Sequence, residues 1–290
     1  MAANSKIEWT ETTWNVISGC TRVSAGCDHC YIERTPPFRM AGRRFDKPGI
    51  GGTTGVTLHR ERLERPLRWR KPRRVFVNSL ADLFHEAVPA EFIADAFAVM
   101  ALAPQHTFQV LTKRHGRMRS LLSGSGDFDL HEAVLETLTD DYDLGAIPEL
   151  PWPLPNVWLG VSVESQQWAD IRVPTLMETP AAVRWLSMEP LLGPVDLADD
   201  WLAGPPWRRN WLDWIVIGGE SGPGARPMEL EWADALTRRC QDAGVPVFVK
   251  QLGSRWGKNH HDIDAFPEAL QVRQYPDRIT EQPQREPVSA

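Results

Sequence analysis

Seven short, apolar, β-prone runs punctuate this chain, at residues 14–18, 75–79, 107–112, 157–163, 183–188, 214–217 and 245–249. Most are followed by a stretch with helical spacing. Continuous apolar runs, rather than alternating ones, mark strands buried on both faces. Strands that alternate with helices imply a parallel sheet with right-handed crossovers. Among the helical stretches, Pro89 opens one whose apolar face is Phe92, Ile93, Ala96, Phe97 and Met100. Another is expected over 229–243, with Ala233, Leu236 and Cys240 on one face and Gly244 as its stop. Residues 56–69 read as a short basic helix interrupted at Pro66, and 168–177 as a helix broken at Pro174.

Polar residues recur where the runs end: Ser79, Thr112 and Lys113, Glu164, Glu189, Glu220 and Lys250. An open doubly wound sheet needs them mainly at one switch point, whereas a barrel gathers every strand end at one mouth. The expected fold is therefore α/β, a partial or complete (β/α) TIM-type barrel of about six to seven parallel strands. It is expected to occupy residues 1–256 as one domain, with a Pro-rich excursion at 123–156, a Trp- and Pro-rich loop up to Asn210, and a polar tail over 257–290.

Three of the four cysteines, Cys20, Cys27 and Cys30, are spaced C-x6-C-x2-C just after the first run. Thiolates so close repel one another unless a cation neutralises them, so a metal is expected. A structural zinc needs four ligands, and only three are present here. His29 adjoins Cys30 and is poorly placed to share its ion; Cys240 falls on an apolar helix face, where a free cysteine is ordinary core. On an iron–sulfur cluster, three thiolates leave one iron open to a small ligand. No run approaches the ~20 apolar residues of a membrane helix. The first residues lack the apolar core of a signal peptide, so a reducing cytoplasm and no membrane partner are expected.

Three cysteines on the loop after the first strand of a (β/α) barrel resemble the arrangement of radical S-adenosylmethionine enzymes. The usual spacing there is C-x3-C-x2-C, so the first gap is wider here, and His29 stands in a slot that is usually aromatic. From Trp9, Thr10, Asn15, Val16, Gly19 and Cys20 to the run Gly218, Gly219, Glu220, Ser221 and Gly222, the chain is also similar to a family of three-cysteine-motif proteins from phages and bacteria, which brings no reaction with it. That likeness spans roughly residues 5–255. The resemblance implies that Cys20, Cys27 and Cys30 hold a [4Fe–4S] cluster and that its open iron binds S-adenosyl-L-methionine. It further implies that an external electron donor drives cleavage of that cofactor to a 5′-deoxyadenosyl radical.

The other strand ends are candidates for binding the cofactor. Gly218 and Gly219 would let backbone approach a ligand closely, and Glu220 would accept hydrogen bonds from a ribose or amino group. Glu164 and Glu189 are candidates for the same groups or for proton transfer; the plain alternative is salt bridges with Lys113, Arg114 or Lys250. Ser79, Asp82 and His85 are further candidates, and Lys113 and Arg114 suit a carboxylate or phosphate. Residues 1–74 hold 15 Lys and Arg against 7 Asp and Glu, although the whole chain carries a net −6. This asymmetry points to a nucleotide or nucleic-acid base as substrate, or to a solvated surface. The alternative function is a non-catalytic nucleic-acid-binding protein whose cysteines hold a structural zinc, with Arg68, Arg70 and Arg73 as contacts. A hydrolase using histidines finds no His-x-His or His-Glu-x-x-His pattern to support it. The 13 tryptophans are read chiefly as core.

Overall fold

The computed structural model describes residue 5 and residues 7–142, 150–203 and 211–276. Its strands are β1 (Thr12–Trp14), β2 (Ile17–Ser18), β3 (Thr57–Leu58), β4 (Arg74–Val77), β5 (Thr107–Thr112), β6 (Val157–Ser162), β7 (Val183–Met188), β8 (Trp214–Gly218) and β9 (Val247–Gln251). Seven of them form one parallel sheet in the order β1-β4-β5-β6-β7-β8-β9. The order follows the chain without reversal, so there is no switch point, and the sheet curls into a half-barrel of TIM type. The helices are α1 (Pro36–Met40), α2 (Ala90–Leu102), α3 (His115–Leu122), α4 (Leu130–Asp140), α5 (Gln166–Glu178), α6 (Asp199–Leu202) and α7 (Leu230–Asp242). No helix among the described residues is long and apolar enough to cross a membrane.

The period of two along each strand divides the core. Val75, Val77, Phe108, Val110, Leu159, Val161, Ile215 and Ile217 face the helices. The opposite positions, Phe76, Trp158, Trp185, Trp214, Val216 and Phe248, fill the lumen together with Trp9. Trp9 meets Trp185 at 5.3 Å and Trp214 at 6.0 Å between ring centroids, both edge-on, an arrangement the ring quadrupoles favour. Gly160 makes the room: a Cβ there would stand 2.5 Å from the Trp185 ring. Most of the tryptophans that the sequence leaves open between base-stacking and core thus seal the lower barrel.

Four expectations change. The first strand is shorter and earlier, because Ile17 and Ser18 leave the barrel to pair antiparallel with Leu58 and Thr57. Residues 56–69 form β3 and two 3-10 turns rather than a helix, as the early proline and dense arginines prevent a full α-turn ladder. Helix α5 runs on through Pro174. The segment after 257 does not begin as a loose tail: Phe266 and Leu270 are buried, and Val249 N–H donates to the Val272 carbonyl at 2.8 Å. Residues 272–274 thereby cover the free edge of β9. The excursion at 123–156 contains α4, capped by Asp129 and packed on α2. Its residues 143–149, the Trp- and Pro-rich loop at 204–210 and the tail beyond 276 lie outside the described residues.

Candidate active site

The cysteine loop is pinned over the C-terminal mouth of the half-barrel. Gly19 enters it at φ +98°, where a Cβ would stand 1.7 Å from the Gly55 carbonyl oxygen, so only glycine suits the close pass. Cys20 N–H donates to Thr54 Oγ1 at 3.0 Å, and Thr54 N–H returns a bond to the Cys20 carbonyl at 3.0 Å. Buried Arg22 acts as a staple, donating to the carbonyls of Cys27 (3.1 Å), Asp28 (3.2 Å) and Lys47 (3.2 Å). The Tyr31 hydroxyl donates to the carbonyl of Ser79, tying the loop's end to the turn after β4.

All four cysteines are free thiols. Burial pushes the Cys20 thiol up to about 12 against the pull of Arg114, whose Nη1 lies 3.6 Å from its sulfur. Burial also raises Cys30, a hydrogen bond from the Ile32 backbone opposing it. Each of these two sulfurs feels the charge of Cys27, so the trio forms one electrostatic unit. Among the described residues, no three His, Cys, Asp or Glu side chains are gathered as ligands of a single ion. The two conceivable fourth ligands are engaged elsewhere. His29 Nδ1 lies 2.8 Å from Glu220 Oε2, and Cys240 is fully buried on α7.

Beside Cys30 the mouth opens into a cavity of ≈ 400 Å³. Trp9, Phe76 and Leu111 are its aromatic and apolar floor; Ser162, Ser187 and Glu189 form the wall; Tyr31, Lys113 and Lys250 stand among the residues around the opening. That size and that mixture of apolar lining with a few polar groups suit a nucleoside-sized ligand.

The strand-end candidates divide. Glu189, Gly219 and Glu220 line the cavity. Glu189 is held by Lys250 Nζ at 2.7 Å and Gln251 Nε2 at 2.5 Å. Three expected ligand contacts are corrected. Asp82 is saturated by protein donors: Thr112 Oγ1 (2.7 Å), Phe84 N–H (3.0 Å), Lys113 N–H (3.0 Å) and Arg114 Nη1 (3.1 Å). It sets Arg114 against Cys20 instead of meeting a cofactor. Glu164 is buried behind the loop, paired with Arg172 at 2.8 Å and 3.4 Å from the Gly26 N–H. Gly218 packs against Glu189, and the close approach at Gly219 is to Gly253 backbone rather than to a ligand, since a Cβ would meet Gly253 N at 2.8 Å. The Ser79 hydroxyl donates to Asn15 at 3.2 Å, and His85 is bonded to Thr21 Oγ1 at 2.9 Å.

Glu220 anchors the rim. It receives Arg226 Nε (3.0 Å), Arg226 N–H (2.8 Å) and His29. Burial alone would raise its carboxyl, yet the hydrogen bonds from Arg226 and His29 prevail and hold it at about 2, below the ordinary 4.5. An ionised carboxylate only accepts, so His29 carries its proton on Nδ1. A depressed carboxyl contributes stability that is complete above 4.5 and lost as pH falls toward 2. Acid melts of Glu220→Gln should therefore lose the part of the pH dependence that the parent shows in that window; superimposable profiles would remove the clasp from the account.

Sequence reasoning overlooked Arg22, Tyr31, Arg172 and Arg226. Tyr31 adjoins Cys30 and was findable by position. The arginines carry no periodic signal, because their partners lie on other elements.

The fold and site define an α/β half-barrel with a thiol-bearing loop across its mouth. The chain belongs to the DUF5131 family, described as proteins of unknown function, whose profile matches residues 4–282. No curated protein and no solved structure matches it significantly.

Proposed function

We propose that this protein is a radical S-adenosylmethionine enzyme. The observation that carries the reading is the placement of three free thiols of one loop at the C-terminal mouth of a parallel half-barrel, beside a nucleoside-sized cavity. The donor set fits a [4Fe–4S] cluster: its ligands each hold a different iron and need not converge on one point, whereas a structural zinc requires four that do. With His29 turned to Glu220 and Cys240 buried on α7, the zinc alternative has no fourth ligand from either. Cys20, Cys27 and Cys30 would hold the cluster. When bound and reduced by an external donor, it supplies the electron that cleaves S-adenosyl-L-methionine to a 5′-deoxyadenosyl radical.

The remaining roles belong to the chain. Arg22, Tyr31 and the Asp82–Arg114 pair position the loop. Glu189, fixed by Lys250 and Gln251, presents a carboxylate to amino or hydroxyl groups in the cavity. The aromatic floor keeps water from below the reacting centre, protecting a radical from quenching. Reconstitution under anaerobic conditions should give a brown protein with ~4 Fe per chain. With dithionite and S-adenosylmethionine it should release 5′-deoxyadenosine. A colourless protein carrying stoichiometric zinc after the same treatment would refute the reading.

A further inference from the structure

Residues 60–74 carry eight Arg and Lys against two Glu. The fold wraps this segment along β1, whose only strand partner is β4. The result is an open groove of ≈ 750 Å³ running the length of that edge strand. Trp69 and Arg73 stand at its lower end, Arg62, Arg65 and Arg68 along it, and Leu80 at its upper end. Glu61 is the one acid lining it, and it is taken up by Arg62 at 3.2 Å. Arg68 has a loose partner in Glu64 at 3.6 Å. Arg65, Arg70, Lys71 and Arg73 have no ion-pair partner among the described residues. Arg73 lies over the Trp69 ring at 5.5 Å, and the inner edge of that ring packs on His106 at 5.6 Å.

A row of unpaired guanidinium groups beside an indole suits phosphates spaced along a strand with bases that stack, and a double helix is too wide for a groove of this size. The direction adds to this. Leu80 N–H is held by Asn15 Oδ1 at 3.1 Å, and the Leu80 carbonyl accepts from Gly19 N–H at 2.9 Å, the residue before Cys20. The groove therefore ends at the root of the cysteine loop.

We infer that the groove along β1 binds the phosphodiester backbone of a single-stranded nucleic acid through Arg65, Arg68 and Arg73, with a base against Trp69. Its upper end leads a neighbouring nucleotide toward the mouth. That last step rests on the proposed radical chemistry; binding in the groove does not.

The test is fluorescence anisotropy of the full chain with labelled 12-nucleotide single-stranded RNA and DNA over a range of salt. Binding should weaken as salt rises. Arg65→Ala with Arg73→Ala should weaken it at least ~10-fold and reduce the slope of log K against log salt by about 1. Trp69→Ala should cost roughly 5–100-fold, and Trp69→Phe much less. Arg119→Ala with Arg238→Ala, remote from the groove, should change nothing. No binding by ~100 µM at low salt overturns the inference, given that non-specific affinities already reach this range. So does equal loss in the remote pair, or displacement by poly-glutamate as effective as by unlabelled RNA. Cys27→Ala should keep nucleic-acid binding while losing 5′-deoxyadenosine, so the two readings fail separately.

Discussion

Cys27→Ala is expected to fall from ~4 Fe per chain to background after anaerobic reconstitution. Its 5′-deoxyadenosine yield should drop by more than ~100-fold, since even groups that merely orient metal ligands are worth 10–100-fold. The backbone should survive the change, because Arg22 holds the Cys27 carbonyl and Cys27 N–H donates to the Ser24 carbonyl at 2.9 Å. Cys240→Ala supplies the contrast. Cys240 is fully buried on α7 with its thiol pushed up to about 12 by burial, so it stays neutral core. Its loss should cost about 1–2 kcal/mol of stability and no iron. Iron analysis and thermal melts on both variants decide the matter. Full iron in Cys27→Ala, or lost iron in Cys240→Ala, would undo the assignment of ligands.

Glu164→Ala should be the most destabilising single change at the mouth. Arg172 is 0% exposed and Glu164 2%. Arg172 Nη1 donates to Glu164 Oε2 at 2.8 Å and to the Ser162 carbonyl at 2.7 Å, and its guanidinium lies 3.9 Å over the Trp168 ring. Removing the carboxylate leaves a buried cation without its counter-charge, which costs about 3–5 kcal/mol. For a chain of this size that is a fall in Tm of roughly 6–20 °C. Glu164→Gln keeps a hydrogen-bond acceptor and loses the charge, so it should fall in between. Glu164 also supports the Gly26 N–H, and the alanine variant should hold iron less firmly for that reason. An unchanged melting temperature would show the pair to be worth no more than an exposed one.

The barrel was legible because its signal is local. Val157, Leu159 and Val161 on one face and Trp158 on the other face of β6 are a single apolar run, and burial on both sides of a parallel sheet requires just that. The order of the strands also follows, since a parallel strand needs a right-handed crossover and each helix supplies one. Misreadings fell where local and long-range terms compete. Ile17 and Ser18 look like a continuation of β1, but pairing with β3 gains more; residues 263–275 look polar, but Phe266, Leu270 and Tyr275 find apolar surface under β8 and β9.

From its amino acids alone, the chain determined a curled parallel sheet, polar strand ends facing one mouth, and three thiols on the loop that crosses it. Hydrophobic period and cysteine spacing are properties of neighbours in sequence and can be read there. Only the tertiary structure decided which carboxylates remain beside the cavity and which are consumed by arginines. Glu189 lines it because Lys250 stands on the next-but-one strand, whereas Glu164 and Asp82 turn away to Arg172 and Arg114. A charge's role depends on which opposite charge the fold brings within about 3 Å, where their attraction is largest and water is excluded, and that choice is made across elements far apart in the chain.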